Sequence, residues 1–183
     1  MRSADAAHCK DLELPDLSPL QLSLLVSVSA TILVVPVGTL LAWWLGCGRR
    51  FPGKVLVETA LTLPLVLPPT VVGFYLLLLF GNGTAAGRWL NRSLGIHVLF
   101  TWQGAAIAAA VMAAPLYVRT MAAAFATVDR ELLDAGRAFG ASEPVLLIKV
   151  ILPVAYRGAL AGIGLAFARA LGEFGATLMV AGN

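Results

Sequence analysis

Four long apolar windows separated by shorter polar stretches dominate the chain: Leu20–Leu45, Val55–Phe80, Gly104–Phe125 and Ala155–Ala181. Each reaches the roughly 20 apolar residues that a helix needs to cross a bilayer. The pattern therefore predicts an all-α, multi-pass membrane bundle with four spans. Between the third and fourth windows lies a contrasting insert, residues 129–153. Its acids Asp129, Glu131 and Asp134 are interleaved with Leu132, Leu133, Ala135 and Phe139. Those apolar residues recur at helical spacing, and Glu131 and Asp134 fall in the first turns, where negative charge suits a helix N-terminus. Phe139 is the expected anchor of this helix, and Gly140 with Ser142-Glu-Pro144 its expected end. A short helix that holds an apolar face outside the bilayer needs a groove to fill. The alternative is a helix lying on lipid, and the three acids count against it. The insert reads as a coupling surface gripped by a soluble partner.

The apolar windows carry helix breakers. Pro36 and Gly38 lie in the first, Pro64, Pro68 and Pro69 in the second, and Pro115 in the third. An interior proline loses one backbone hydrogen bond and crowds the preceding turn, and in lipid the freed carbonyl must find a partner within the protein. A single proline reads as a passive kink. Three within six residues, Pro64, Pro68 and Pro69, predict a segment that bends or lines a pathway. Gly158, Gly162, Ala166 and Ala170 form a small-residue stripe, as do Ala105, Ala109 and Ala113, and both predict close helix packing. Arg169 and Glu173 are the charged exceptions in the fourth window, where a lone charge costs roughly 2.5–3.5 kcal/mol. At i,i+4 they can neutralise each other on one helix face. Two readings stay open: a structural ion pair, or a place in a conduction path where Arg169 would meet an anion. Glu58, one turn after Lys54, is expected to pair with a base near the membrane surface.

Composition supports the membrane reading, with 59% hydrophobic and 13% charged residues among 183 and a mean hydropathy of +0.86. A soluble domain carries more charge. The polar start, residues 1–19, lacks the basic region and cleavage site of a removable signal, so it is expected to be an outer tail on a membrane domain, 20–183. Arg49, Arg50 and Lys54 follow the first window, while Arg119, Arg130, Arg137 and Lys149 bracket or occupy the insert. By the positive-inside rule the N-terminus lies outside and residues 129–153 in the cytoplasm. The pI near 9.2 comes from these loops, and no basic patch interleaved with aromatics suggests nucleic acid. Cys9, Cys47, His8 and His97 lack metal-ligand spacing. Gly48 through Lys54 has the spacing of a phosphate-binding loop, but Val55 replaces the hydroxyl residue that would hold magnesium and no strand precedes it. With no nucleophile–histidine pairing either, the chain does not read as an enzyme.

The insert resembles the EAA loop of bacterial ABC-importer permeases, E-A-A-x3-G-x9-I-x-L-P. Asp134-Ala135-Gly136 stands for the opening triplet, Gly140 for the glycine, and Val150-Ile151-Leu152-Pro153 for the close. Leu63–Tyr75 and Phe167–Thr177 are similar to the molybdate and tungstate permease subfamily, a likeness that covers about residues 20–183. The resemblance implies a homodimeric permease in the bacterial inner membrane, without a resident cofactor or an ATPase site of its own. It implies a cytoplasmic ABC ATPase docked through Glu131, Asp134, Ala135, Gly136, Phe139, Gly140 and Pro153. It also implies a periplasmic oxyanion-binding protein that delivers molybdate or tungstate. Sulfate and thiosulfate permeases share a similar Gly-Glu-Phe-Gly segment and supply the alternative substrate. Family members continue past the position of Asn183 into an outer loop and a further span, so a truncated permease is expected. A non-transporting scaffold that binds the ATPase is the alternative.

Overall fold

The computed structural model describes residues 19–46, 53–81, 84, 87–88 and 99–181. The polar tail before Pro19, the basic pair Arg49 and Arg50, both cysteines and both histidines lie outside the described residues. Helix α1 runs over Pro19–Gly46, α2 over Lys54–Val66, α3 over Pro69–Phe80 and α4 over Trp102–Ala126. Then come α5 (Arg130–Ala138), α6 (Glu143–Leu146), a π-helical turn (Leu147–Ile151), α7 (Leu152–Val154), α8 (Tyr156–Leu171) and α9 (Gly175–Ala181). Among the described residues every regular element is helical.

Helices α1 and α4 are each long and apolar enough to cross a membrane alone. At 1.5 Å per residue, their 28 and 25 residues exceed the roughly 30 Å of a hydrocarbon core. The second expected span is not one straight helix. Its halves α2 and α3 meet at a bend of 115°, because Leu67 and Pro68 are both extended, with ψ of 144° and 135°. A residue before proline is pushed out of the α region, and here two such positions follow each other. Pro69 then opens α3 at a first-turn position, where its missing N–H costs nothing. Pro64, by contrast, lies within α2 without ending it. The bend therefore belongs to Pro68 and Pro69 alone.

The fourth window is also interrupted. Helix α8 ends at Leu171, and Gly172–Phe174 separate it from α9, so the uninterrupted span expected over Ala155–Ala181 is corrected to a helix, a break and a short second helix. Upstream, α8 meets the segment Glu143–Val154 at 82°. Counting each bent pair as one span, the described residues offer up to four.

Helix α4 is the centre of the bundle. Ala105, Ala109 and Ala113 are buried on it, and α1 and α8 pack against it and against each other. Small residues make this approach possible. A side chain at Gly158 would collide with Ala124 of α4, and one at Gly162 would lie 3.3 Å from the Tyr117 ring. The stripe on α8 is thus taken up within the chain, by α4. Tyr117 is 1% exposed and fills the space left by Gly38, where a Cβ would stand 2.5 Å from the ring. Its hydroxyl shares a 2.8 Å hydrogen bond with Thr39 Oγ1, which satisfies a buried polar group that hydrocarbon could not.

A second, smaller core joins α3, α4 and α9 through Val72, Leu76, Met112, Ala176 and Val180. Gly73 is its close-contact point: a Cβ there would sit 2.9 Å from the Ala176 backbone oxygen and 2.8 Å from Met179 Cβ. Backbone cannot swing aside, so Gly73→Ala is expected to destabilise the fold by about 1–3 kcal/mol through overpacking. Thermal unfolding in detergent measures this. Gly164→Ala serves as the control, since a Cβ at Gly164 meets nothing within 4 Å. Equal transitions for the two variants would refute a tight α3–α9 contact.

Candidate functional site: the capped polar helix and the charged break

Two features depart from the apolar bundle, and they sit at opposite ends of one stretch of chain. The first is α5. Asp129 caps it, its carboxylate accepting from the Glu131 N–H at 2.9 Å, one of the amides that a helix start leaves without a partner. Glu131 lies in the first turn and Arg137 in the last, so both charges suit the helix dipole. Gly140 ends the helix with φ of 80°. Its N–H donates to the Arg137 carbonyl at 2.9 Å, and that of Ala141 to the Gly136 carbonyl at 3.0 Å. This paired closure needs a left-handed residue, which glycine adopts without strain. A Cβ at Gly140 would touch nothing, so conformation and not space demands the glycine. Ser142-Glu-Pro144, expected to end α5, instead opens α6.

The apolar set divides between two faces. Leu133 is buried against the bundle, and Gly136 lets α6 approach, since a Cβ there would lie 2.6 Å from Leu146 Cδ2. Leu132 is half exposed, Ala135 is exposed, and Phe139 is 92% exposed. Leu132, Ala135 and Phe139 follow i, i+3, i+7 spacing and so share one outer face, while Leu133 belongs to the inner one. The sequence expectation of one continuous apolar face is corrected accordingly: burial of Leu133 holds the helix in place and leaves Phe139 free.

Arg137 braces the insert. Its Nε donates to Glu143 Oε1 at 2.8 Å and its Nη1 to Asp134 Oδ1 at 2.8 Å. Asp134 lies one turn away at i,i+3, whereas Glu143 comes into reach through the turn at Gly140. The Arg137 hydrogen bond holds the Glu143 carboxyl below the usual carboxylate range, and Glu143 and then Asp134 raise Arg137 above its ordinary value. A depressed carboxyl stabilises the fold above its unfolded pKa and loses that contribution as pH falls through its folded value. Hydrogen exchange across residues 137–146 is therefore expected to accelerate on acidification below the ordinary carboxylate range. The added factor should be no more than about fivefold, since exposed ion pairs are weak. Glu143→Gln should abolish the pH dependence beyond the intrinsic exchange trend; an unchanged profile would count against the brace.

Beyond α6, the π-helical turn sits just before Pro153, where a regular turn would drive the proline ring into the Lys149 carbonyl. The Leu152 N–H accordingly donates to the Leu147 carbonyl. Pro153 itself is exposed within α7. Lys54 and Glu58 form the expected pair at 3.8 Å.

The second feature is the break after α8. Arg169 Nη1 lies 2.6 Å from Glu173 Oε2, with the glutamate side chain 2% and the arginine 24% exposed. The two charges meet as the spacing suggested, but Glu173 stands beyond the end of α8 and not on a shared helix face. Its other oxygen, Oε1, accepts from the Ala176 N–H at 2.8 Å. One carboxylate thus neutralises the last turn of α8 and satisfies the first turn of α9. Sequence spacing revealed the ion pair; it could not reveal the second bond, which exists only because the helix stops.

The family model for "Binding-protein-dependent transport system inner membrane component" matches residues 35–183. The chain is 44% identical over 166 residues to the putative molybdenum transport system permease protein YvgM of Bacillus subtilis, covering 91% of this chain and 73% of that protein. It is 44% identical over 169 residues to the molybdenum transport system permease protein ModB of Escherichia coli, covering 92% and 73%. The sulfate transport system permease protein CysT of Escherichia coli is 37% identical over 163 residues, covering 89% and 58%.

Proposed function

Because the chain belongs to the family of binding-protein-dependent transport system inner membrane components, we propose that it is the membrane-spanning permease of an ATP-driven molybdate importer. The carrying observation is α5: a capped, polar helix that displays Phe139 almost fully exposed beside an apolar bundle. Such a surface suits the groove of a soluble ATPase. The identity to molybdenum permeases, 44% against 37% for the sulfate permease, favours molybdate or its close analogue tungstate as the cargo.

In this reading residues 20–183 form the permease domain and residues 129–153 face the cytoplasm. The N-terminus lies outside, where a periplasmic binding protein delivers the oxyanion. Two copies enclose the path. The ATPase grips the Leu132, Ala135 and Phe139 face, while Glu131, Asp134, Gly136 and Gly140 give α5 its charge, its approach to α6 and its end. Motion of α5 reaches α8 through α6, the π-helical turn and α7, an unbroken run of short elements ending at Pro153 and the bend. Pro68 and Pro69 supply the bend in the second span. Arg169 and Glu173 act structurally, since both carboxylate oxygens of Glu173 are already engaged.

Vesicles containing the permease, its ATPase and its binding protein provide the test. Molybdate uptake that depends on ATP and exceeds sulfate uptake is the expected result. Preference for sulfate would transfer the chain to the sulfate class, and ATPase binding without uptake of either anion would favour the scaffold reading.

A further inference from the structure

Two of the helix breaks in this bundle touch each other. Helix α3 begins at Pro69, directly after the 115° bend, and α9 begins at Gly175, directly after the break at Gly172–Phe174. A Cβ at Gly175 would stand 2.9 Å from Pro69 Cβ and 3.5 Å from the Thr70 nitrogen. One turn on, Gly73 meets Ala176. The first turns of α3 and α9 therefore lie side by side, with the Pro69 ring against Gly175 and the Ala176 backbone against Gly73. The far end of α9 is tied as well, since the Phe100 N–H donates to the Val180 carbonyl at 2.9 Å.

The Glu173 carboxylate lies beside the first turn of α9. A seven-residue helix is too short to hold its own position, and its first amides need acceptors. Glu173 Oε1 supplies one to Ala176, while Thr177 Oγ1 donates back to the Glu173 carbonyl at 3.1 Å. Resting on the transport reading above, we propose that Glu173 is a positioning residue that keeps the two breaks stacked, so that movement of α8 is transmitted to α3 across the Gly175–Pro69 contact. Its role is that of hydrogen-bond acceptor for α9. Arg169 neutralises the carboxylate so that it can be buried.

Acceptor and charge can be separated. In Arg169→Gln/Glu173→Gln both charges are gone, yet the amide oxygen can still accept from Ala176. Arg169→Met/Glu173→Met removes the charges and the acceptor together. The complete complex with ATPase and binding protein is reconstituted in vesicles, and molybdate transported per ATP hydrolysed is measured beside hydrogen exchange over residues 173–181. The glutamine pair is expected to keep both readouts within about twofold of the unsubstituted protein. The methionine pair is expected to raise exchange by about three- to tenfold, the worth of one hydrogen bond, and to lower transport per ATP by a similar factor. Gly175→Ala supplies an independent route should the methionine pair not fold. It leaves Glu173 in place and presses on Pro69, and it is expected to lower transport per ATP in the same way.

Failure of the glutamine pair, or wild-type coupling and exchange in the methionine pair, would overturn the proposal. So would unaltered coupling in Gly175→Ala. An unsubstituted complex that transports nothing would instead defeat the transport reading, and the exchange measurements would still judge the role of Glu173.

Discussion

Phe139→Ala is expected to weaken ATPase binding to the permease by about 10- to 100-fold, the equivalent of withdrawing one fully buried phenylalanine worth about 1.5–3 kcal/mol. The side chain is 92% exposed and follows the last residue of α5, so it contributes almost nothing to the permease fold. Exposed substitutions of that kind move stability by less than about 0.5 kcal/mol. An aromatic anchor seated in a partner's groove, by contrast, typically carries a large share of the binding energy. Leu133→Ala should behave in the opposite way. That residue is buried, and its loss is expected to cost about 2–5 kcal/mol of stability, with docking lost only as α5 detaches. Titration of the ATPase onto the detergent-solubilised permease, paired with a thermal unfolding scan, separates the two. Undiminished binding by Phe139→Ala would sink the docking surface.

Arg169→Leu is expected to damage the fold severely. It strands Glu173, whose side chain is 2% exposed, as a lone carboxylate inside an apolar bundle. Removing one member of a buried pair typically costs about 3–5 kcal/mol, against an ordinary total stability of about 5–15 kcal/mol. Removing both charges at once should cost less, because no uncompensated ion remains. Lys54→Ala is the comparison: its pair with Glu58 spans 3.8 Å between groups 33% and 47% exposed, and such pairs contribute below about 1 kcal/mol. Midpoints of thermal unfolding in detergent measure all three. An Arg169→Leu midpoint equal to that of Lys54→Ala would show that the pair does not support the fold.

Much of this arrangement was written in local pattern. Helices α1 and α4 follow from apolar runs longer than a bilayer is thick. The Asp129 cap, the acidic first turn of α5 and the glycine that ends it follow from the preferences of helix termini. Consecutive prolines announced the bend before α3, since two residues in a row were denied the helical region. The family resemblance lay in the same short stretches, from Asp134 to Pro153 and around Gly172-Glu-Phe-Gly175.

What local pattern could not carry were the choices made by contact. Leu132 and Leu133 are equally apolar neighbours, and only packing against the bundle decided that Leu133 is buried and Leu132 half exposed. Arg137 had Asp134 in reach by spacing, whereas Glu143 arrived because the chain reverses at Gly140. Residues 155–181 read as one span because nothing in Gly172-Glu-Phe forbids helix as a proline pair does. Beyond the break α9 lies against α3, where a Cβ added at Gly175 or Gly73 would come within 3.0 Å of Pro69 or Ala176, a closeness between residues about a hundred positions apart that no local pattern carries. Hydrophobic period, caps and prolines act within a turn or two, so the sequence alone determined where helices form and which residues could be charged partners. Which helix stops, and which face is left for a partner, depended on close packing across the bundle and was decided by the tertiary structure.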